Sequence, residues 1–353
     1  MSDKIKVLHL LQSDKFSGAE NVACKIIEMF NDDTNFEMAY CSKSGQISDV
    51  LQKKGIMYYP MSNLSIREVK RVVDLFEPDI IHAHDASASV ISSMLSKRYP
   101  ILSHMHSNPP WIKKMGKNSI LYFISSLRFR NVLTVSSSIM EEYVFGRFLT
   151  KKTTIIKNPI DINAIRTKAN ANNSEKLYDI AYIGRLATPK NPMRFIKLIN
   201  KLKSNIPHIS AVMIGDGVLR KQCKDLIDNL GLNGSITMVG FQENPYSLLE
   251  KVKVLCITSK WEGYGLVAVE AMALGRPVVC TPVGGLPMLV NSTCGKICTS
   301  DEDFTNELEK LLIDKEYWKG KSNGSIIQAN LLDNIPSYKK NIDEIYNKML
   351  GVR

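Results

Sequence analysis

Residues 258–285 read TSKWEGYGLVAVEAMALGRPVVCTPVGG. The stretch spells loop, helix, turn, strand and a second glycine loop. Trp261-Glu262-Gly263-Tyr264-Gly265 is a flexible approach in which two glycines let backbone N–H groups come close to a ligand. Leu266 to Leu274 is a helical run, and Gly275-Arg276-Pro277 stops it. Val278-Val279-Cys280 is a short buried strand, and Gly284-Gly285 opens the next turn.

A helix start carries unsatisfied, partly positive N–H groups and suits a phosphate. Two acids bracket this one, Glu262 before it and Glu270 within it, with seven residues between. A carboxylate aimed at a phosphate would be repelled, so both acids are expected to meet neutral hydroxyls. A sugar on one side of a diphosphate and a ribose on the other would supply them, which describes a nucleotide-sugar.

Glu262 and Glu270 match the E-x7-E motif of retaining glycosyltransferases of the GT-B fold, and EGYGLVAVEAMALGRPVVCTPVGG resembles the GT4 family. The glycines, the AMALGRPVV turn and the trailing Gly-Gly all sit at matching offsets. A buried βαβ unit with two surface acids is the plainer reading of a bare E-x7-E.

At 353 residues two domains are the natural expectation. The seven cysteines are scattered without a CxxC, and Cys294 and Cys298 form only a lone CxxxC. Neither a disulfide framework nor a structural zinc site is indicated, and a reducing cytoplasmic setting fits. MSDKIKVLHLLQSDK reads as a first strand rather than a signal peptide. No apolar run approaches the roughly 20 residues a membrane span needs.

The net charge of +11 is shared between the halves, +5 up to Ile165 and +6 beyond. One window is uneven. Between Asp85 and Glu141 there is no acid, yet Lys97, Arg98, Lys113, Lys114, Lys117, Arg128 and Arg130 are present. This suggests an anionic partner. Within it, WIKKMGKNSILYFISSLRFR (111–130) interleaves cations with Trp, Ile, Tyr and Phe. Such a stretch can lie peripherally on an anionic membrane or receive a polyprenyl diphosphate acceptor. A partly buried helix with a solvated basic face is the competing reading. No nucleic-acid-binding module pattern appears.

Strands alternate with helical segments along both halves, which implies α/β architecture: two Rossmann-like βαβ domains with a ligand at the carboxyl ends of the strands. The expected layout is an N-terminal, acceptor-binding domain over 1–163 and a polar linker over 164–176 (AIRTKANANNSEK). A nucleotide-sugar-binding domain follows over 177–335, then a terminal helix over 336–353. The GT-B resemblance implies an active site in the cleft between the domains and a last helix that crosses back to the first.

The remaining chemistry is spread along the chain. The loop Ser13–Gly18 follows the first strand and is a phosphate-loop candidate; it lacks G-x-G-x-x-G, which counts against a nicotinamide dehydrogenase. Where the family has Gly-Gly-Ala-Glu, this chain has Ser17-Gly18-Ala19-Glu20. Arg185 follows Gly184 at a strand end with Lys190 five residues on, so two cations could neutralise a diphosphate. IGRLATPKNP resembles the family's diphosphate-binding GRL…K segment. Gly215-Asp216-Gly217 matches its GDG, with a role in shape. Four of six histidines form two i, i+2 pairs, His82 with His84 and His104 with His106, each pair on one face of a strand end. Metal binding is the lesser reading, because only Asp85 joins them. The family has a histidine near the reacting sugar carbon; His106 holds that offset, with His104 the competing assignment. Asp301-Glu302-Asp303 has the letters DxD but precedes FTNELEKLL and reads as a helix start.

The expectation is therefore a retaining GT4-type glycosyltransferase with no metal and a nucleoside diphosphate-sugar, UDP-linked, as donor. The acceptor would be a lipid-linked saccharide of capsule, O-antigen or exopolysaccharide type. Catalysis falls to His106 and Glu262. Donor binding falls to Gly18, Arg185, Lys190, Glu262, Gly263, Tyr264, Gly265, Leu266 and Glu270. The alternatives are a UDP-sugar epimerase of the same fold, which would need no acceptor, and a non-catalytic nucleotide- or membrane-surface-binding protein.

Overall fold

Interior strands such as Ala211–Ile214 and Val278–Cys280 are apolar and buried along their whole length, as a parallel sheet covered by helices on two sides requires. The computed structural model describes residues 4–169 and 177–351. Two units divide it: Met1–Pro159 with Asn334–Arg353, and Ile160–Asp333.

In the first unit β1 (Ile5–Leu10), β2 (Phe36–Lys43), β3 (Tyr58–Met61), β4 (Ile80–Ala83), β5 (Ile101–Met105), β6 (Asn131–Thr134) and β7 (Thr153–Ile155) form one parallel sheet in the order β3-β2-β1-β4-β5-β6-β7. The strand order reverses between β1 and β4, the point at which open α/β sheets bind ligands beyond their carboxyl ends. Asp85 leaves β4 there. Its carboxylate caps the helix Ala86–Ser92 through the Ala88 N–H (2.8 Å) and also accepts from the Gln12 N–H of the loop after β1 (2.9 Å).

Helix Ile335–Leu350 completes this unit. It buries Tyr338, Ile342, Tyr346 and Met349, a single stripe at helical spacing. Tyr346 lies against Phe30 and Phe36, with ring centroids 6.4 and 6.0 Å away. Asn334 donates to the Asn158 carbonyl at 3.1 Å, so the unit's two chain segments are tied where they meet.

In the second unit β8 (Tyr178–Ile183), β9 (Ala211–Ile214), β10 (Ile236–Gly240), β11 (Val252–Ile257), β12 (Val278–Cys280) and β13 (Gly295–Ile297) form a parallel sheet ordered β10-β9-β8-β11-β12-β13. Its reversal falls between β8 and β11. The core packs Phe195 and Phe304 against strand residues such as Ile180, Met213 and Val254. Ser300, not Asp301, is the N-cap of helix Asp301–Ile313; it forms a reciprocal capping box with Asp303, and the acids of the DxD letters serve that helix start.

The polar stretch 164–176, expected as a linker, begins inside a helix, Ile162–Ala169, that belongs to the second unit. Asp161 caps it through the Ala164 N–H at 2.8 Å. Ile162 and Ile165 are buried, and Arg166 donates to the Ala273 carbonyl and to Asn330, both at 3.0 Å. These contacts override a composition that reads as loop; residues 170–176 lie outside the described part. All seven cysteines are buried and free. No helix among the described residues is long and apolar enough to cross a membrane.

Candidate functional site

The loops leaving β8 and β11 meet at the reversal of the second sheet. After β8, Gly184 passes into Arg185, whose side chain is exposed and whose carbonyl accepts from the Tyr182 hydroxyl at 3.1 Å. Gly215, at φ 135°, packs on this turn, and a side chain there would collide with the Gly184 carbonyl. Asn191 takes the left-handed conformation at φ 50°, which Asn tolerates better than most residues, and the chain then enters helix Pro192–Lys203. Thr258, from the loop after β11, donates to the Asn191 carbonyl at 3.0 Å. The Lys260 N–H donates to the Pro189 carbonyl at 2.7 Å.

This stitching brings Lys190 against Glu262 as a partly buried ion pair. Glu262 also accepts from the Ser259 hydroxyl at 2.9 Å. Gly284, at φ 58°, passes so close that a side chain there would strike the Glu262 carbonyl. Helix Leu266–Ala273 follows, with Gly265 as its N-cap and no side-chain cap, so its first N–H groups are not met by a capping side chain. Gly263 and Tyr264 are buried. Burial pushes the Tyr264 phenol up to about 12, and its hydroxyl has no protein partner. Glu270, half-buried on the same helix, accepts from the Tyr246 hydroxyl at 3.2 Å. Burial, then the Glu270 charge, raises that phenol's pKa.

In the first unit, Ser17 is the N-cap of helix Gly18–Met29 and donates to the buried Glu20 carboxylate at 2.5 Å. The space where a Gly18 side chain would stand is empty. His104 lies within β5 and is fully buried, whereas His106 stands one residue past that strand and is half-buried as a residue. A fifth histidine joins the two pairs. His9 on β1 is directly opposite His82 on β4 and contacts His84 at 2.9 Å. Burial lowers His9 and His106 to about 3, and holds His82, His84 and His104 well below the usual histidine range.

The structure thus joins Lys190 to Glu262, sets Glu270 on the helix that follows, and leaves Arg185 in solvent on the neighbouring loop. Gly18 and His106 both belong to the first unit. Three partners escaped the sequence reading. Ser259 precedes Glu262 by one turn's spacing and could have been suspected. Tyr246 and His9 come from distant segments, and only the sheet order reveals them.

Residues 163–326 match the family described as glycosyl transferases group 1, and residues 49–164 match glycosyltransferase family 4. The chain is 22% identical over 348 residues to UDP-Gal:alpha-D-GlcNAc-diphosphoundecaprenol alpha-1,3-galactosyltransferase of Escherichia coli, covering 88% of this chain and 89% of that one. It is 29% identical over 241 residues to a Campylobacter jejuni N-acetylgalactosamine-N,N'-diacetylbacillosaminyl-diphospho-undecaprenol 4-alpha-N-acetylgalactosaminyltransferase; that match covers 67% of this chain and 64% of the relative's length. The fold is similar to that of HepE from Anabaena, solved with UDP-glucose, at TM-score 0.85 and 22% identity over 98% of this chain and 100% of that one. With both family matches adjoining and the two parallel sheets in place, the chain belongs to the GT4 glycosyltransferases and has the GT-B fold.

Proposed function

We propose that the chain moves a sugar from a nucleoside diphosphate donor, UDP-linked, to a lipid-diphosphate-linked saccharide at an anionic membrane surface. The transfer retains anomeric configuration and serves bacterial surface polysaccharide assembly. The observation that carries this reading is the Lys190–Glu262 pair at the reversal of the second sheet. On donor binding, Lys190 exchanges its carboxylate for diphosphate oxygens, and Glu262 turns to the hydroxyls of the donor sugar. Arg185 shares the diphosphate charge. The N–H groups of Gly263, Tyr264, Gly265 and Leu266 hold the sugar-phosphate, Glu270 takes the ribose hydroxyls, and Gly18, with open space beside it, is assigned to donor binding. His106 stands at the reacting carbon. Preorganised cations aimed at a leaving group are commonly worth about 10²–10³ in rate, so this scheme needs no metal.

The helix Lys117–Ser126 supports a lipid acceptor. Its buried side carries Ser119, Tyr122, Ser125 and Ser126, satisfied in part by bonds such as Ser119 to the Trp111 carbonyl (2.6 Å) and Tyr122 with Ser103 (2.8 Å). Its outer side carries Ile120, Leu121 and Ile124, continued by Leu127 at 61% and Met115 at 72% exposure. A helix that turns its aliphatic side outward, among exposed Lys113, Lys114, Lys117, Arg128 and Arg130, has the chemistry of an interfacial anchor on anionic lipid. The relatives named above, which carry diphospho-undecaprenol in their names, support the same acceptor class. The test is transfer from radiolabelled UDP-sugars to polyprenyl-diphosphate saccharides, with and without EDTA. Turnover of donor without acceptor would instead identify an epimerase or hydrolase.

A further inference from the structure

The five clustered histidines resolve into two hydrogen-bonded chains. In one, His9 Nδ1 meets His84 Nε2 at 2.9 Å and His84 Nδ1 meets His106 Nε2 at 3.0 Å. In the other, the Tyr346 hydroxyl meets His82 Nδ1 at 2.8 Å and His82 Nε2 meets His104 Nδ1 at 3.2 Å. Three ring nitrogens at the chain ends are enclosed and have no protein partner: His9 Nε2, His106 Nδ1 and His104 Nε2.

A neutral imidazole has one N–H and one lone pair, so each hydrogen bond dictates the next. Full burial of His9, His82, His84 and His104 excludes a charged ring. Each chain therefore has two polarities only. If His106 donates from Nε2 to His84, and His84 donates from Nε2 to His9, all three rings are Nε2–H, the tautomer that neutral histidine prefers in water. The reverse direction makes all three the disfavoured Nδ1–H form. The second chain agrees: the buried Tyr346 phenol keeps its proton and has no other acceptor for it among the described residues, so it donates to His82 Nδ1 and both rings beyond it are Nε2–H.

We propose that His9 and His84 are positioning residues that fix His106 as the Nε2–H tautomer, so that His106 Nδ1 presents a lone pair and accepts a hydrogen bond from a ligand hydroxyl. An orphaned, enclosed ring nitrogen is the kind of atom that a ligand satisfies. The catalytic part of this inference rests on the proposed place of His106 at the reacting carbon; the tautomer does not.

The experiment is long-range ¹H–¹⁵N correlation of histidine-labelled protein at neutral pH, paired with transfer kinetics. The expected spectrum shows His9, His84 and His106 as Nε2–H. His9→Phe, two hydrogen bonds from His106, should convert His106 to a mixture of tautomers. It should also lower kcat about tenfold with the donor KM within about twofold. His9→Asn, whose carbonyl can accept from His84, should restore both. A merely structural role for His9 would change the folded fraction and leave the His106 shifts alone. The proposal is overturned by Nδ1–H at His106 in the unaltered protein, or by a His106 spectrum indifferent to His9→Phe. It is also overturned if one equivalent of Co(II) is taken up with tetrahedral absorption bands, which would make the cluster a metal centre. Should His106→Ala transfer sugar at the full rate, the catalytic placement fails while the tautomer result stands.

Discussion

Lys190 and Glu262, 72 positions apart in sequence, meet as an ion pair because their loops leave adjacent strands, β8 and β11. The pair stands at the one place in the second sheet where neighbouring strands send their connections in opposite directions. Lys190→Ala and Glu262→Ala should each lower transfer by at least about 10²-fold. Both variants should unfold cooperatively in urea, since Ser259 still serves Glu262 and the lysine can reach water. On the proposed exchange both residues act on one donor, so the double variant should be little worse than either single one. Additive losses in that cycle would separate the residues and sink the exchange scheme.

Two glycines should respond oppositely. Gly284 has φ 58° and lies against the Glu262 carbonyl, so Gly284→Ala should cost about 1–3 kcal/mol in strain and displace Glu262. Gly18 is the first residue of a helix and has open space around it. Gly18→Ala should leave stability level or raise it by about 0.4–1 kcal/mol. If donor affinity nevertheless drops in Gly18→Ala, the empty space is ligand space. Unchanged affinity would remove Gly18 from the donor site.

For the donor, we expect one UDP-sugar from a panel of UDP-, GDP- and dTDP-sugars to raise the melting temperature. At about a hundredfold excess over Kd, binding adds roughly 2.7 kcal/mol. Glu270→Ala should erase most of that shift, with Tyr246→Phe affecting it less. A panel with no shift would send attention to acceptor-first binding, which the same panel with lipid-diphosphate present decides.

The outward aliphatic face of helix Lys117–Ser126 should show itself in flotation assays. The protein should float with vesicles rich in phosphatidylglycerol or cardiolipin and remain behind with phosphatidylcholine alone. Each engaged Lys or Arg contributes about 1 kcal/mol at low salt. Ile120→Ser combined with Ile124→Ser and Leu127→Ser should release it with little change in melting temperature, because these side chains are 42–61% exposed. Flotation that survives the triple change would move the anchor elsewhere.

Stability should depend on pH through the histidine cluster. Burial lowers His9 and His106 to about 3, with His82, His84 and His104 also well depressed, whereas the unfolded chain titrates near 6.5. Below about 6.5 the unfolded state therefore binds more protons than the folded one. Stability falls as pH drops from there toward 3, by up to about 1.4 kcal/mol per unit for each site, and is flat above about 7. Asp85, raised by burial, acts in the opposite sense, and only in the carboxylate range. Urea midpoints at pH 7.5, 6.5 and 5.5 check this, and His9→Phe should flatten the slope by one proton's worth. A midpoint that holds steady down to pH 5.5 would show the rings are not buried.

Much of this architecture is legible in the residues. Short apolar runs such as Ile80–Ala83 and Val278–Cys280 announce buried strands, and Gly275 marks the end of helix Leu266–Ala273. The pieces that hide do so for physical reasons. Helix Lys315–Leu332 contains Gly320 and Gly324, which read as breakers. Gly324 is there because any side chain would meet the Thr293 carbonyl, so packing outweighs propensity. Helix Ala86–Ser92 is mostly serine and alanine with little periodicity, and Asp85 caps it. Strand β13 has three residues, one of them Lys296. In the candidate site, residue types and spacing pointed to Lys190 and Glu262 separately. That they pair, and that His9 completes the histidine chains, follows only from which strands are neighbours.

The return of helix Ile335–Leu350 to the first unit has a consequence for biosynthesis. The second unit is one unbroken segment, whereas the first waits for a helix that supplies Tyr346 to His82 and to the Phe30–Phe36 contact. At a synthesis rate of about 5–20 residues per second, the interval between Pro159 and that helix is on the order of 10–40 s. During it, the ribosome-bound chain carries all seven strands of the first sheet but leaves uncovered the apolar seam where the helix will dock. The second unit can be native while the first is still a client for chaperones, so premature termination after Asp333 should yield aggregation rather than a shortened enzyme.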